Sequence, residues 1–146
     1  MELTRQAMFG GKPVRRVHVM VKTIGSMCNL DCTYCYYLPK GELLGVPRHW
    51  AMSEETLETF IRQYFEANNH KEVVFSWQGG EPTLLGVDFF RKVVELENKY
   101  CPPDVRIENA LQTNGTLLDD EWCRFLYDNR FLVGLSIDGP QKLHDD

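Results

Sequence analysis

Four short apolar runs punctuate the chain, each closing on a small polar loop, and an amphipathic helix pattern follows each of the first three. Val17, Val19 and Val21 alternate as a strand does and lead directly into residues 27–38, "MCNLDCTYCYYL". Ser53 followed by Glu54 and Glu55 reads as a helix start, because the hydroxyl caps free N–H groups and acids suit the positive end of the dipole. Leu57, Phe60, Ile61, Tyr64 and Phe65 then recur at helical spacing as one buried stripe. The unit repeats. Residues 73–77 form a near-continuous apolar run of the kind covered on both faces, ending at Gly79 and Gly80, and Phe89, Val93, Leu96 and Tyr100 share a face of the next helix. Residues 105–111 predict a third strand ending at Asn114 and Gly115, and Asp119 caps a helix bearing Trp122, Phe125 and Leu126. Residues 131–137 predict a fourth strand ending at Asp138 and Gly139.

This β-α-β-α-β-α-β order predicts an α/β fold. Right-handed crossovers make the strands parallel, and the loops at their carboxyl ends then share the rim where such folds place their active sites. The expected domain is residues 17–146, after an N-terminal extension at residues 1–16. A closed barrel of eight strands takes roughly 250 residues. The 146-residue chain stops at "LHDD", where a fourth helix should begin, so the expectation is the N-terminal part of a partial TIM-like barrel.

Composition removes several classes of function. With 43% apolar and 25% charged residues the chain can bury a real core, and its net charge of −5 is spread out, with no basic stripe for a nucleic acid. No apolar run is long enough to span a membrane, and residues 1–16 carry Arg5, Lys12, Arg15 and Arg16 without the apolar segment of a signal peptide. Five cysteines, three of them crowded together, suit a reducing compartment with a metal or redox site better than a disulfide framework. The cytoplasm is the expected location.

Cys28, Cys32 and Cys35 stand on the spacing Cys-x3-Cys-x2-Cys with no fourth cysteine nearby. Structural zinc wants four ligands, and the candidates His49 and His70 are not in a zinc-type pairing. Iron–sulfur clusters also use thiolates, normally four, so three would leave one iron open to another ligand. Two other readings stand: a zinc-binding module, and an electron-transfer cluster that takes Cys101 or Cys123 as its fourth ligand. Both of those thiols otherwise read as small core or helix-face residues. In "GGEP", residues 79–82, glycines permit positive φ and close backbone approach, Pro82 fixes the exit, and Glu81 is an acceptor suited to an amino group. An ordinary strand-to-helix turn would use the same letters. "QTNG", residues 112–115, and "LSIDGP", residues 135–140, also read as plain turns. Tyr36 and Tyr37 serve equally as packing or as substrate-facing residues.

The cysteine spacing resembles the signature of the radical S-adenosylmethionine enzymes, and Tyr34 before the last cysteine matches it too. The resemblance implies that Cys28, Cys32 and Cys35 hold a [4Fe–4S] cluster whose open iron is chelated by S-adenosyl-L-methionine. An electron then cleaves the sulfonium to a 5′-deoxyadenosyl radical. It further implies that Gly79, Gly80 and Glu81 hold the methionine amino group, that Asn114 and Ser136 reach its carboxylate or ribose, and that Tyr34 and Gln78 line the same cavity. From Val17 to Pro140 the blocks "CNLDCTYCYYL", "WQGGEPTLLG", "LQTNGTLLDDEW" and "LSIDGP" resemble the anaerobic sulfatase-maturating enzymes, with other peptide-modifying relatives sharing most of them. That resemblance implies oxidation of a sulfatase Cys or Ser to Cα-formylglycine, with an electron donor such as flavodoxin or ferredoxin. The family's catalytic Asp and its C-terminal domain with two further clusters have no counterpart within residues 1–146, so these residues alone are not expected to turn over.

Overall fold

The fold, a computed structural model, is described for residues 8–9, 12–13, 16–43, 45 and 50–144. The predicted extension at residues 1–16 lies largely outside these, as does His49. What is described of the extension is chiefly a two-stranded antiparallel ladder of β1 (Met8–Phe9) and β2 (Lys12–Pro13).

The alternation of the sequence is realised as β3 (Val19–Val21), a one-turn α1 (Lys40–Leu43), α2 (Glu54–Ala67), β4 (Glu72–Trp77), α3 (Val87–Tyr100), β5 (Arg106–Thr113), α4 (Asp120–Asp128), β6 (Leu132–Leu135) and a short α5 (Gln141–His144). The four strands β3 to β6 form one sheet in sequence order, and every neighbouring pair is parallel. The predicted α/β class and parallel partial barrel are therefore what forms. Both caps act as expected: the Ser53 hydroxyl accepts from Thr56 N–H at 3.2 Å, and the Asp119 carboxylate from Trp122 N–H at 2.9 Å.

Strand periodicity decides which side of the sheet is covered. Val73, Phe75 and Trp77 alternate inward against α2 and α3, while Val74, Ser76 and Gln78 take the other face. The core is aromatic. Phe75 stacks on Trp77 with centroids 5.7 Å apart, and Phe90 meets the Trp77 ring edge-on at 6.0 Å. Tyr64 fills this layer while its hydroxyl donates to the carbonyls of Val17 (3.0 Å) and Val74 (2.9 Å), holding the start of β3 to β4.

The predicted stripes hold with two corrections. In α3 it is Phe90, rather than Phe89, that is fully buried, and Glu97 occupies a core position on the same face. The strand limits also shift, β5 reaching Thr113 and β6 stopping at Leu135. Among the described residues, no helix is long and apolar enough to cross a membrane.

Candidate functional site

The carboxyl ends of the strands converge on the cysteine loop, which is irregular and is held by side chains and an isolated backbone bond rather than by ladder hydrogen bonds. It leaves β3 through a turn in which Gly25 N–H reaches Lys22 O at 3.3 Å, and it turns again where Cys35 N–H reaches Cys32 O at 3.0 Å. Each of the other three rim loops holds it at one point. Glu81 N–H donates to Met27 O at 2.8 Å. Asn29 donates to the Thr116 hydroxyl at 2.8 Å and accepts from Asn114 Nδ2 at 2.9 Å. The Tyr34 hydroxyl donates to Asp138 Oδ2 at 2.8 Å, and that bond with its neighbouring charge pushes the phenol pKa up to about 12.

Between the cysteine loop and the sheet lies a cavity of about 170 Å³. Cys28 and Cys35 form one side of it, Tyr36 and Tyr37 another, and residues 78–80 with Gln112 its floor. Strand register explains the floor. Trp77 pairs with Leu111 and Val21, which puts Lys22, Gln78 and Gln112 at one level on the uncovered face of the sheet, with Gly134 opposite Gln112. A Cβ on Gly134 would strike the Gln112 amide oxygen, so the glycine is what lets Gln112 lie across β6 and donate to the Ser136 hydroxyl at 3.0 Å. The Lys22 stem runs over Gly79 in the same way, and its ammonium stands 4.8 Å from the centre of the Tyr37 ring.

Glu81 is turned away from this cavity and is only 1% exposed. Its Oε1 accepts from Thr83 N–H (3.0 Å), the Thr83 hydroxyl (2.6 Å) and the Thr113 hydroxyl (2.7 Å), and its Oε2 accepts from Asn114 N–H (2.7 Å). One carboxylate thus joins the loop after β4 to the loop after β5.

Comparison with known proteins gives this rim a context. The model of the Radical SAM superfamily matches residues 23–146. This chain belongs to the radical SAM superfamily. It is 48% identical over 147 residues to the serine-type anaerobic sulfatase-maturating enzyme of Bacteroides thetaiotaomicron, an alignment covering 100% of this chain and 34% of that protein. It is 45% identical over 128 residues to the cysteine-type enzyme of Clostridium perfringens, covering 87% of this chain and 34% of that one. Solved structures of native anSMEcpe agree. The one with bound AdoMet superposes with a TM-score of 0.77 at 44% identity, covering 86% of this chain and 34% of that chain. The one with bound AdoMet and Cp18Cys peptide gives 0.76 at 42% identity, covering 87% of this chain and 33% of that chain. The chain spans about a third of the length of these relatives.

Within the radical SAM fold, the residues singled out from sequence take different places. Cys28, Cys35, Gln78, Gly79 and Gly80 meet at the cavity, while Cys32 is half-buried and stands off its wall. Among the described residues no three His, Cys, Asp or Glu side chains converge as a metal site, so the thiols are not pre-gathered as their spacing suggested. Closing such a loop is work that ligation itself can do. The donor chemistry fits an iron–sulfur group: three free cysteines lie within eight positions, and backbone N–H of Leu30 points at Cys28 Sγ at 3.4 Å. Tyr34, expected in the cavity, is 70% exposed and clasps Asp138 instead. Asn114 and Ser136 are engaged by Asn29, Thr116 and Gln112 and do not line the cavity. The carboxylate expected to meet an amino group, that of Glu81, is already surrounded by donors from its own protein. Lys22, Ser26, Leu38 and Gln112 are cavity residues that sequence reasoning missed. The readable signal was the strand period, which put Lys22 on the face opposite Val19 and Val21. The remaining cysteines keep away, Cys101 at the far end of α3, where its thiol points at Val105 O (3.4 Å), and Cys123 exposed on α4.

Proposed function

We propose that this chain is the N-terminal part of an anaerobic sulfatase-maturating enzyme, which oxidises a Cys or Ser side chain of a sulfatase polypeptide to Cα-formylglycine. Residues 17–146 form the first part of its barrel domain and residues 1–16 an extension. The observation that carries this reading is the meeting of the cysteine loop, the glycine loop and the polar floor of the sheet at one cavity. Cys28, Cys32 and Cys35 hold a [4Fe–4S] cluster, and Gln78, Gly79 and Gly80 line the site of S-adenosyl-L-methionine. When bound, such a cluster would supply the single electron for reductive cleavage of S-adenosyl-L-methionine and with it the radical chemistry at the substrate's β-carbon.

The chain's own residues set the stage for that chemistry. Asn114 and Asn29 hold the Cys28 end of the loop against β5, and Tyr34 with Asp138 holds the Cys35 end against β6. Glu81 fixes the loop after β4, whose backbone in turn holds Met27. Ser136 orients Gln112 on the cavity floor. A flavodoxin or ferredoxin is the class of donor suited to deliver single electrons, and a cytoplasmic setting keeps the thiols reduced.

The test is anaerobic incubation of the full-length protein with reductant, S-adenosyl-L-methionine and a peptide carrying Cys-x-Pro-x-Arg or its Ser counterpart. Mass spectrometry should find an aldehyde on the peptide together with 5′-deoxyadenosine, and the Cys32→Ala protein should lack both iron and product. An iron-loaded protein that oxidises neither peptide would move the function to another peptide-modifying relative. Zinc in place of iron after anaerobic purification would remove the radical chemistry altogether.

A further inference from the structure

Lys22 brings a positive charge to the wall of the cavity, and no Asp or Glu lines that wall among the described residues. Lys92 and Lys99 each pair with a carboxylate, whereas Lys22 has no such partner among the described residues. Its position is fixed at both ends. The stem lies over Gly79, where any Cβ would strike it, and the ammonium faces the Tyr37 ring at 4.8 Å. A ring face offsets only part of the hydration that a cation loses on burial, and that lost hydration lowers the Lys22 pKa. The groups lining the same cavity that become anionic are Cys28 and Cys35, since a thiol must lose its proton to bind iron. Charge complementarity therefore runs across the cavity, from Lys22 on the end of β3 to the cysteine loop.

We propose that Lys22 is a positioning residue for electron entry: its positive charge offsets the negative charge of the thiolate-bound cluster and raises the potential at which the cluster accepts an electron. The inference rests on the cluster reading above. The step it concerns is the gain of one electron from a low-potential one-electron donor, which adds one negative charge and neither makes nor breaks a bond. At an effective dielectric of about 20, a unit charge within the same cavity shifts such an equilibrium by about tenfold.

Lys22→Met keeps an unbranched stem over Gly79 and removes the charge, and Lys22→Arg keeps the charge. The measurement is an EPR-monitored redox titration of the full-length protein, reconstituted anaerobically with iron and sulfide and without S-adenosyl-L-methionine. At equal iron content, Lys22→Met should show a reduced-to-oxidised ratio lower by about tenfold at fixed ambient potential, a midpoint about 59 mV more negative for a one-electron couple. Lys22→Arg should return most of that difference. A Lys22→Met protein with full iron and the wild-type midpoint overturns the proposal; weaker binding of S-adenosyl-L-methionine or of peptide in that protein would reassign Lys22 to a ligand carboxylate. If Lys22→Met takes up no iron, Lys22→Gln enters the same titration with the same expected shift, and loss of iron from both neutral variants overturns the proposal in favour of a role in building the loop. A wild-type protein without an iron–sulfur signal would instead sink the functional reading itself.

Discussion

Glu81 at the rim and Glu97 behind the sheet are buried almost equally, at 1% and 2% exposure, yet their hydrogen-bond surroundings differ sharply. Four donors from Thr83, Thr113 and Asn114 converge on Glu81. Among the described residues, Glu97 behind the sheet has a single side-chain donor, Asn109 Nδ2 at 2.8 Å, and its Oε1 has no partner. Asn109 is itself aimed by Trp77, whose indole N–H donates to Asn109 Oδ1 at 2.6 Å. Desolvation pushes the Glu97 pKa up to about 8, against which its one hydrogen bond pulls weakly, so the group is largely protonated at neutral pH. Burial alone therefore does not decide how a carboxyl is accommodated; the number of donors aimed at it differs fourfold between the two sites. At the rim, carboxyl chemistry organises loops, whereas behind the sheet a carboxyl is tolerated by being neutral.

The largest effect is expected from Glu81→Ala. It strands four buried donors and unties the loop after β4 from the loop after β5, and each buried donor left without a partner costs about 1–3 kcal/mol. Urea denaturation at pH 7 measures the loss, and iron uptake should fall with it because Glu81 N–H also holds Met27. A cost under about 1 kcal/mol, typical of one ordinary hydrogen bond, would show that the rim is held by something else.

Gly80→Val sharpens the same point from the backbone. Gly80 has φ +53°, and a Cβ there would run into the Met27 carbonyl that Glu81 N–H binds. The glycine is thus required by the cysteine loop, and not only by a ligand approaching the turn. Strain of this kind costs roughly 1–3 kcal/mol before the loop is displaced. Read from sequence alone, the substitution should weaken cofactor binding and spare the cluster; from the structure, both should be lost. Full iron content with cofactor binding alone reduced would separate the two loops and restore the simpler view.

The contrast between the two glutamates also marks where the sequence stops being legible. The period-two and helical patterns were enough for the order of elements, the parallel sheet and the rim, because they depend on neighbours within one element. Cys28, Gly79 and Gly80 could be singled out from the sequence because spacing and backbone freedom are local properties, and they line one cavity. Glu97 was not expected in the core, since the residue that makes it tolerable, Asn109, lies on another element, and Glu81 was assigned outward because Thr113 and Asn114 come some thirty positions later. Strand ends slipped by one or two residues for a related reason: Thr113 extends β5 because its backbone pairs with Leu135 of β6, a neighbour that no local propensity encodes. Lys22 was overlooked among valines although its strand period already set it on the uncovered face.

Glu97→Gln tests the other half of the comparison through pH. With the folded pKa raised to about 8 from an ordinary 4.5, the folded state binds more protons than the unfolded one between those values. The stability this group contributes should therefore be fully present below pH 4.5 and be lost as pH rises through 8, by on the order of 4–5 kcal/mol. Glutamine cannot ionise, so Glu97→Gln should flatten that decline and leave the variant more stable than wild type at pH 8. Denaturation midpoints at pH 5, 6.5 and 8 decide it. Parallel slopes for the two proteins would mean that water reaches Glu97 and that the two buried glutamates differ less than their partners suggest.

The smallest effect should come from Tyr34→Phe, which probes the exposed tether rather than the buried one. Tyr34 and Asp138 join the cysteine loop to the loop after β6 at 2.8 Å, as Glu81 joins its two loops, but in contact with solvent. Water can replace either partner, so losing the hydroxyl strands nothing. The raised phenol pKa does not alter this. A group lifted from 10 to about 12 contributes stability that is fully present below pH 10 and is lost only as pH rises through 12. At neutral pH, Tyr34→Phe should match wild type in melting temperature and in iron content within error, while Asp138→Asn should lower the Tyr34 pKa toward 10 in an alkaline absorbance titration. A Tyr34→Phe protein that loses iron would show that a solvent-exposed clasp holds the cysteine loop as firmly as the buried carboxylate, and burial would then not be what separates the strong tether from the weak one.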